Sequence, residues 1–241
     1  MNSRLQTEYL RAMGIRQWVA REAPACAEEG RVAVEHPGSG RPGLKIPVAA
    51  PDWNELQQQV ESCTRCALHE TRTRTVFGVG NREADWLIIG EAPGRDEDRE
   101  GEPFVGRAGR LLTEMLFAAG YQRKDVYIAN ILKCRPPNNR DPSPEEVACC
   151  HEYLEHQIAL IRPVLILAVG RIAAHNLLNS DLQVGRLRGR VHRYGERQIP
   201  LVVTYHPAYL LRSPLEKRKV WEDLQLAQAV YRDHIAGITD N

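Results

Sequence analysis

Four short apolar runs, Trp86–Ile89, Val126–Ile131, Val164–Val169 and Leu201–Thr204, alternate along this chain with segments of helical period, and that alternation constrains the fold more than any other feature. Runs of this length without a polar face suit strands buried on both sides, and a strand–helix–strand rhythm lays such strands side by side in a parallel sheet. The helices between them carry start and stop signals. Arg110–Ala119 presents Leu111, Leu112, Met115 and Leu116 on one face, and Gly120 closes it. Ser143, Pro144 and Glu146 form a capping box with proline at the first helical position, which predicts a helix to about Ile161. Gly170 introduces a helix to Leu178, and Ser213, Pro214 and Glu216 cap a last one whose apolar face is Val220, Leu224, Ala227 and Tyr231. The expectation is an α/β fold, a four-stranded parallel sheet covered on both faces.

The remaining sequence divides around that core. Of the 241 residues 43% are hydrophobic, enough for a packed interior, and the formal net charge of +1 excludes neither a nucleic acid nor a small ligand as partner. No apolar run reaches the length of a membrane span, and MNSRLQTEYLRAMG lacks the apolar core of a signal peptide, so no membrane partner and a cytoplasmic location are expected. Residues 1–21 read as an amphipathic docking peptide with Leu10, Met13, Ile15 and Trp18 on its apolar side, and residues 22–52 as a Pro/Gly-rich linker. Residues 53–236 form the folded domain, expected to be a monomer, and 237–241 a tail.

In open α/β sheets ligands bind at the carboxyl ends of the strands. The first strand runs there into GEAPGRDEDREGEPFVGRAG, a loop of glycines, acids and one aromatic, Phe104. It has neither the GxxxxGK[ST] pattern nor the basic residues of a phosphate cradle, so a planar, uncharged ligand fits better. The second strand ends on Asn130, and the fourth delivers Tyr205, His206 and Pro207 to the same edge. Arg186–Arg193 reads as an exposed basic ribbon.

Six cysteines in a cytoplasmic protein point to metal or redox chemistry more than to disulfides. Cys63 and Cys66 form a CxxC, Cys134 follows the second strand, and Cys149 and Cys150 open the helix capped by Ser143. Val147, Cys150, Leu154, Ile158 and Ile161 share one helical face, while Cys149 points roughly 100° away. The set is therefore Cys63, Cys66, Cys134 and Cys150, with Cys26 a bystander in the linker. Four thiolates suit zinc or an iron–sulfur cluster, and spacing alone does not separate them; a single short pair favours a 4Fe-4S cluster.

GEAPGRDEDREGEPFVGRAG, NILKCRPPNNRDPSPEE and YHPAYLLR, in that order and with those four cysteines around them, resemble the family 4 uracil-DNA glycosylases, the iron–sulfur class. The resemblance covers Trp53 to about His234. It implies a three-layer α/β/α fold, a 4Fe-4S cluster on Cys63, Cys66, Cys134 and Cys150, and hydrolysis of the bond between uracil and deoxyribose in DNA, near the nucleoid. LRAMGIRQW separately resembles the tail of the psi subunit of bacterial replicases, which implies clamp-loader subunits as partners of residues 1–21.

On that reading Phe104 stacks on an extruded base, the Asn130 carboxamide reads N3–H and O4, the backbone at Gly90 and Glu91 addresses a ring oxygen, and His206 donates to O2 of the leaving uracil. The place of the catalytic Asp of the family 1 enzymes is Ala92 here. Glu91, Glu97 and Asn139 remain as candidates to orient water or balance the cationic sugar; Glu91 is favoured, and Glu97 is alternatively a barrier to the thymine methyl. Arg107, Arg186, Arg188, Arg190 and Arg212 are candidates for a phosphate rail, and Leu210 and Leu211 for the wedge that fills the vacated stack. The competing reading is a replicase accessory subunit that uses the same fold as a binding module. A covalent uracil-trapping relative needs a His-bearing insertion that KCRPPNNR lacks.

Overall fold

A computed structural model describes residues 51–239. The docking peptide read at Leu10, Met13, Ile15 and Trp18 lies outside the described residues, as does the linker up to residue 50. Helix α1 (Trp53–Glu61) is started by Asp52, which accepts from the Asn54 and Glu55 amides while the Glu55 side chain returns the bond, and it buries Leu56 and Val60 against Phe77 and Tyr153. A short α2 (Leu68–Thr71) follows the CxxC, and a two-residue strand β1 (Val79–Gly80) leads to β2 (Trp86–Gly90).

Beyond β2 come α3 (Arg95–Glu100), α4 (Arg107–Ala118), β3 (Tyr127–Asn130), α5 (Pro144–Ile161), β4 (Leu165–Val169), α6 (Arg171–Leu178), α7 (Val184–Leu187), β5 (Val191–Tyr194), β6 (Ile199–Thr204), α8 (Pro207–Arg212) and α9 (Lys217–Thr239). The sheet order is β1-β3-β2-β4-β6-β5. The four expected strands, β3, β2, β4 and β6, are mutually parallel and central. The sheet is nonetheless six-stranded and mixed, because β1 and β5 add antiparallel edges. The basic ribbon of Arg186–Arg193 is the end of α7, a turn through Gly189 and the first residues of β5.

Three layers follow from the two-residue period of the strands. Leu87, Ile89, Tyr127, Ala129, Ile166, Ala168, Leu201 and Val203 face α5, α6 and α7, packing on Leu154, Ile158, Ala173 and Leu187. Trp86, Ile88, Ile128, Leu165, Leu167 and Val202 face the other way, onto Leu112, Met115 and Leu116 of α4 and Val220, Leu224 and Ala227 of α9. No helix among the described residues is long and apolar enough to cross a membrane.

Candidate active site

Connectivity reverses beside β2, whose neighbours β3 and β4 both come later in the chain, and such a switch point opens a crevice at the strand ends. Gly90 ends β2 in register with Asn130 at the end of β3. A Cβ on residue 90 would lie 2.5 Å from Asn130 Oδ1 and 2.6 Å from Phe104 Cζ, so glycine is required for these two side chains to meet there.

The acidic loop is ordered from within. Glu97 Oε1 accepts the Val105 and Gly106 amides at 3.0 and 3.1 Å, and its Oε2 accepts the Gly94 amide at 3.1 Å. Both oxygens thus accept from the loop, so Glu97 shapes the segment that carries Phe104, a structural role beside the catalytic or thymine-excluding one expected from the sequence. Buried Asp98 accepts the Thr73 amide at 2.9 Å and binds the loop's other side. Arg123 donates to the Pro103 and Phe104 carbonyls at 2.8 and 3.2 Å, and Phe104 itself takes a left-handed backbone with φ of 55°. Gly109 packs directly on the Phe104 carbonyl, leaving no space for a side chain.

Asn130 is 2% exposed, and its Oδ1 is buried without a hydrogen-bond partner. Native interiors rarely strand an acceptor, because leaving one unsatisfied costs about 1–3 kcal/mol, so this atom points to a ligand donor. His206 caps α8, and its Nδ1 accepts the Ala208 amide at 3.1 Å. The neutral ring therefore carries its proton on Nε2 and presents a donor there. Burial pushes the His206 pKa down to about 4, with Arg212 acting in the same direction and Glu97 against it. The imidazole is neutral at physiological pH. Its ring faces Phe104 with centroids 5.6 Å apart at 29°, and Gly170, at the start of α6, leaves room for it: a Cβ there would lie 2.9 Å from His206 Cβ.

Glu91 is half-buried beside the pocket. Its pKa is raised to about 6, chiefly by burial and then by the Asp141 charge, with Arg171 opposing both. Asp141 and Arg171 form an ion pair at 2.6 Å at the rim. Sequence reasoning missed these two; the signal for Asp141 was its place in the NNRDP stretch of the second motif. Asn139 is exposed, and its Oδ1 accepts Arg135 Nε at 2.7 Å within its own loop.

The profile of the Uracil DNA glycosylase superfamily matches residues 77–225. This chain belongs to that superfamily. It is 48% identical over 179 residues to a type-4 uracil-DNA glycosylase of Archaeoglobus fulgidus, a match spanning 71% of this chain and 89% of that one. It is 44% identical to a type-4 uracil-DNA glycosylase of Thermotoga maritima, over 72% of this chain and 92% of that one. A type-5 uracil-DNA glycosylase of Thermus thermophilus is 37% identical over 44% of this chain and 54% of its own.

Around the glycosylase pocket the surface residues sort into two kinds. Arg107, Arg186, Arg190 and Arg212 are exposed, although Arg190 donates to the Arg186 carbonyl. Arg188 is not part of an open rail. Its guanidinium bonds Asp223 at 2.9 Å and reaches Glu222 at 3.3 Å, with the side chain only 14% exposed, so it holds α9 to the α7–β5 turn. Leu210 is also corrected: it is fully buried against α4 and α9 and cannot enter a duplex. Leu211 is 40% exposed, and Leu215, not singled out from sequence, is 92% exposed just beyond it.

Among the described residues no three His, Cys, Asp or Glu side chains stand close enough to hold a single metal ion. The cysteines are nevertheless gathered. Burial pushes the Cys150 thiol up to about 12, with Cys134 and Cys66 adding to it; Cys134 is raised by burial and in turn by Cys66 and Cys63, against a 3.1 Å hydrogen bond from Arg72. Cys149 instead donates to the Arg65 carbonyl. Cysteine sulfur is the donor type that iron–sulfur clusters take.

Proposed function

We propose that this chain hydrolyses the N-glycosidic bond of uracil in DNA and so begins base excision repair. The observation that carries the reading is the buried, unpartnered Asn130 Oδ1 set between Gly90 and Phe104. Uracil N3–H donates to that oxygen, the Asn130 Nδ2 donates to O4, and Phe104 covers the ring face. Cytosine offers an unprotonated N3 and an amino group at those positions, so it leaves two groups unpaired at about 1–3 kcal/mol each.

As C1′–N1 breaks, its electron pair stays on uracil and positive charge develops on the sugar. The His206 Nε2–H donates to O2 and stabilises the departing anion, which a neutral imidazole does well because it need not lose its own proton. The ionised Glu91 carboxylate balances the cationic sugar and takes a proton from the water whose oxygen bonds to C1′. That proton passes from Glu91 through solvent to the uracil anion, so the products are neutral uracil and an abasic sugar, and the carboxylate is restored. Exposed Arg107, Arg186, Arg190 and Arg212 are the phosphate contacts, and Leu211 is the apolar group left to fill the stack.

Cys63, Cys66, Cys134 and Cys150 would hold a 4Fe-4S cluster, whose contribution is to cross-link the CxxC, the segment after β3 and helix α5. A location with the chromosome in the cytoplasm follows from the substrate. Attachment to a clamp loader through Leu10, Met13, Ile15 and Trp18 rests on the resemblance of LRAMGIRQW alone. The test of the activity is release of free uracil from a synthetic uracil-containing strand, set against the same strand carrying cytosine; release from the first and not the second is expected, and no release overturns the proposal.

A further inference from the structure

Asp223, on α9, is fully buried, and both of its carboxylate oxygens are bonded. Arg188 Nε donates to Oδ2 at 3.0 Å, and the same guanidinium reaches Oδ1 at 2.9 Å beside the Gly189 amide at 3.2 Å. Oδ2 takes one further donor, the Thr204 hydroxyl at 2.8 Å. Thr204 is also fully buried and is the last residue of β6. A buried ion pair yields little net stability over apolar packing of the same volume, whereas its hydrogen bonds have fixed directions. Here they hold a strand end.

From Thr204 the contacts run on to the imidazole. The Thr204 carbonyl accepts the Gly170 amide at 2.9 Å. Gly170 packs so closely on His206 that a Cβ there would lie 2.9 Å from His206 Cβ and 3.3 Å from Cδ2, the ring carbon bonded to the Nε2 donor. His206 itself stands two residues beyond Thr204, where the chain leaves β6 to begin α8. One threonine therefore sets both the strand end from which His206 departs and the glycine against which it rests.

We infer that Asp223, through the Thr204 hydroxyl, aims the His206 Nε2–H at O2 of the departing base. This rests on the function proposed above. Neither residue touches substrate, and both are positioning residues. The His206 bond strengthens as charge develops on the base, so a misaimed ring slows turnover and leaves DNA binding alone.

The experiment uses the full-length protein carrying Thr204→Val, which keeps the side-chain shape without the hydroxyl, or Thr204→Ser, which keeps the hydroxyl. Uracil release from a uracil-containing oligonucleotide is measured for each, alone and combined with His206→Ala. Thr204→Val is expected to lower kcat about tenfold with KM unchanged within about twofold, as for a small displacement at a reacting centre, and Thr204→Ser to match wild type within about twofold. In the His206→Ala background Thr204→Val should have no further effect, because the two act as one unit. An undiminished kcat in Thr204→Val, an equal loss in Thr204→Ser, a loss in KM alone, or the full loss persisting in the His206→Ala background overturns the inference. Nitrogen NMR of the His206 ring reads the placement without turnover: the ring resonances should move in Thr204→Val and stay in Thr204→Ser, and a ring unmoved by Thr204→Val overturns the inference. If wild type releases no uracil, the proposed function fails and the ring resonances decide this inference alone. If Thr204→Val does not accumulate, Thr204→Ala takes its place in every arm.

Discussion

Gly90 and Asn130 end neighbouring parallel strands in register, and the space a side chain on residue 90 needs is already filled by the Asn130 carboxamide oxygen, 2.5 Å from the Cβ position. Gly90→Ala must therefore push Asn130 or Phe104 out of place. Displacements of this size at a reacting centre cost on the order of 100-fold in rate. Uracil release should fall by about that factor while thermal unfolding moves little; an undiminished rate would show that the two side chains do not form one pocket.

The pH dependence of uracil release separates Glu91 from His206. The Glu91 pKa is raised to about 6, so its carboxylate is fully ionised only above that value, and the rate should fall as pH drops through 6. The His206 pKa is lowered to about 4, so the ring stays neutral through the range where an ordinary histidine titrates and adds no limb there. Glu91→Gln should be slower at pH 8 and lose the limb near 6. A limb that persists in that variant assigns it to another group.

Arg188 and Arg186 should behave differently although they stand two residues apart. Arg188→Ala leaves Asp223 buried with a lost ion pair, a class of change that costs about 3–5 kcal/mol, and a marked drop in denaturation midpoint is expected. Arg186→Ala should leave the midpoint unchanged and reduce the slope of log affinity for DNA against log salt by about 1. Urea titrations and salt-dependent binding check the two arms.

Leu210→Ala and Leu211→Ala make a similar pair. The first empties a fully buried site and should cost about 2–5 kcal/mol of stability. The second removes an exposed side chain and should spare stability while slowing release from duplex more than from single-stranded DNA. Equal rates on both substrates would remove Leu211 from the role of wedge.

What could be read without coordinates follows from where the signal lies. The four parallel strands carried theirs in unbroken apolar runs. Strand β1 is two residues long, and β5 is VHRY at a solvent edge, so neither has the apolar pattern that marks a strand. Helix α3, RDEDRE, has no apolar face and looked like a loop; its ends are fixed by Glu97 folding back on Gly94 and by left-handed Gly101. Phe104, Asn130 and His206 were legible because each sits in a separate motif at the end of a strand or in its loop. The partner of Arg188 lies 35 residues on, and nothing local distinguishes it from the arginines beside it. Leu210 and Leu211 are adjacent in sequence, so only the packing of α8 on α4 decides which of them faces inward.

The most direct test of the account is release of free uracil from a uracil-containing oligonucleotide by wild type, His206→Ala and Asn130→Asp, all three confirmed folded. Wild type should release uracil and spare the cytosine control, and each variant should be slower by at least about 100-fold, the scale of losing one preorganised donor at a developing anion. Release by either variant at the wild-type rate would contradict the pocket described here.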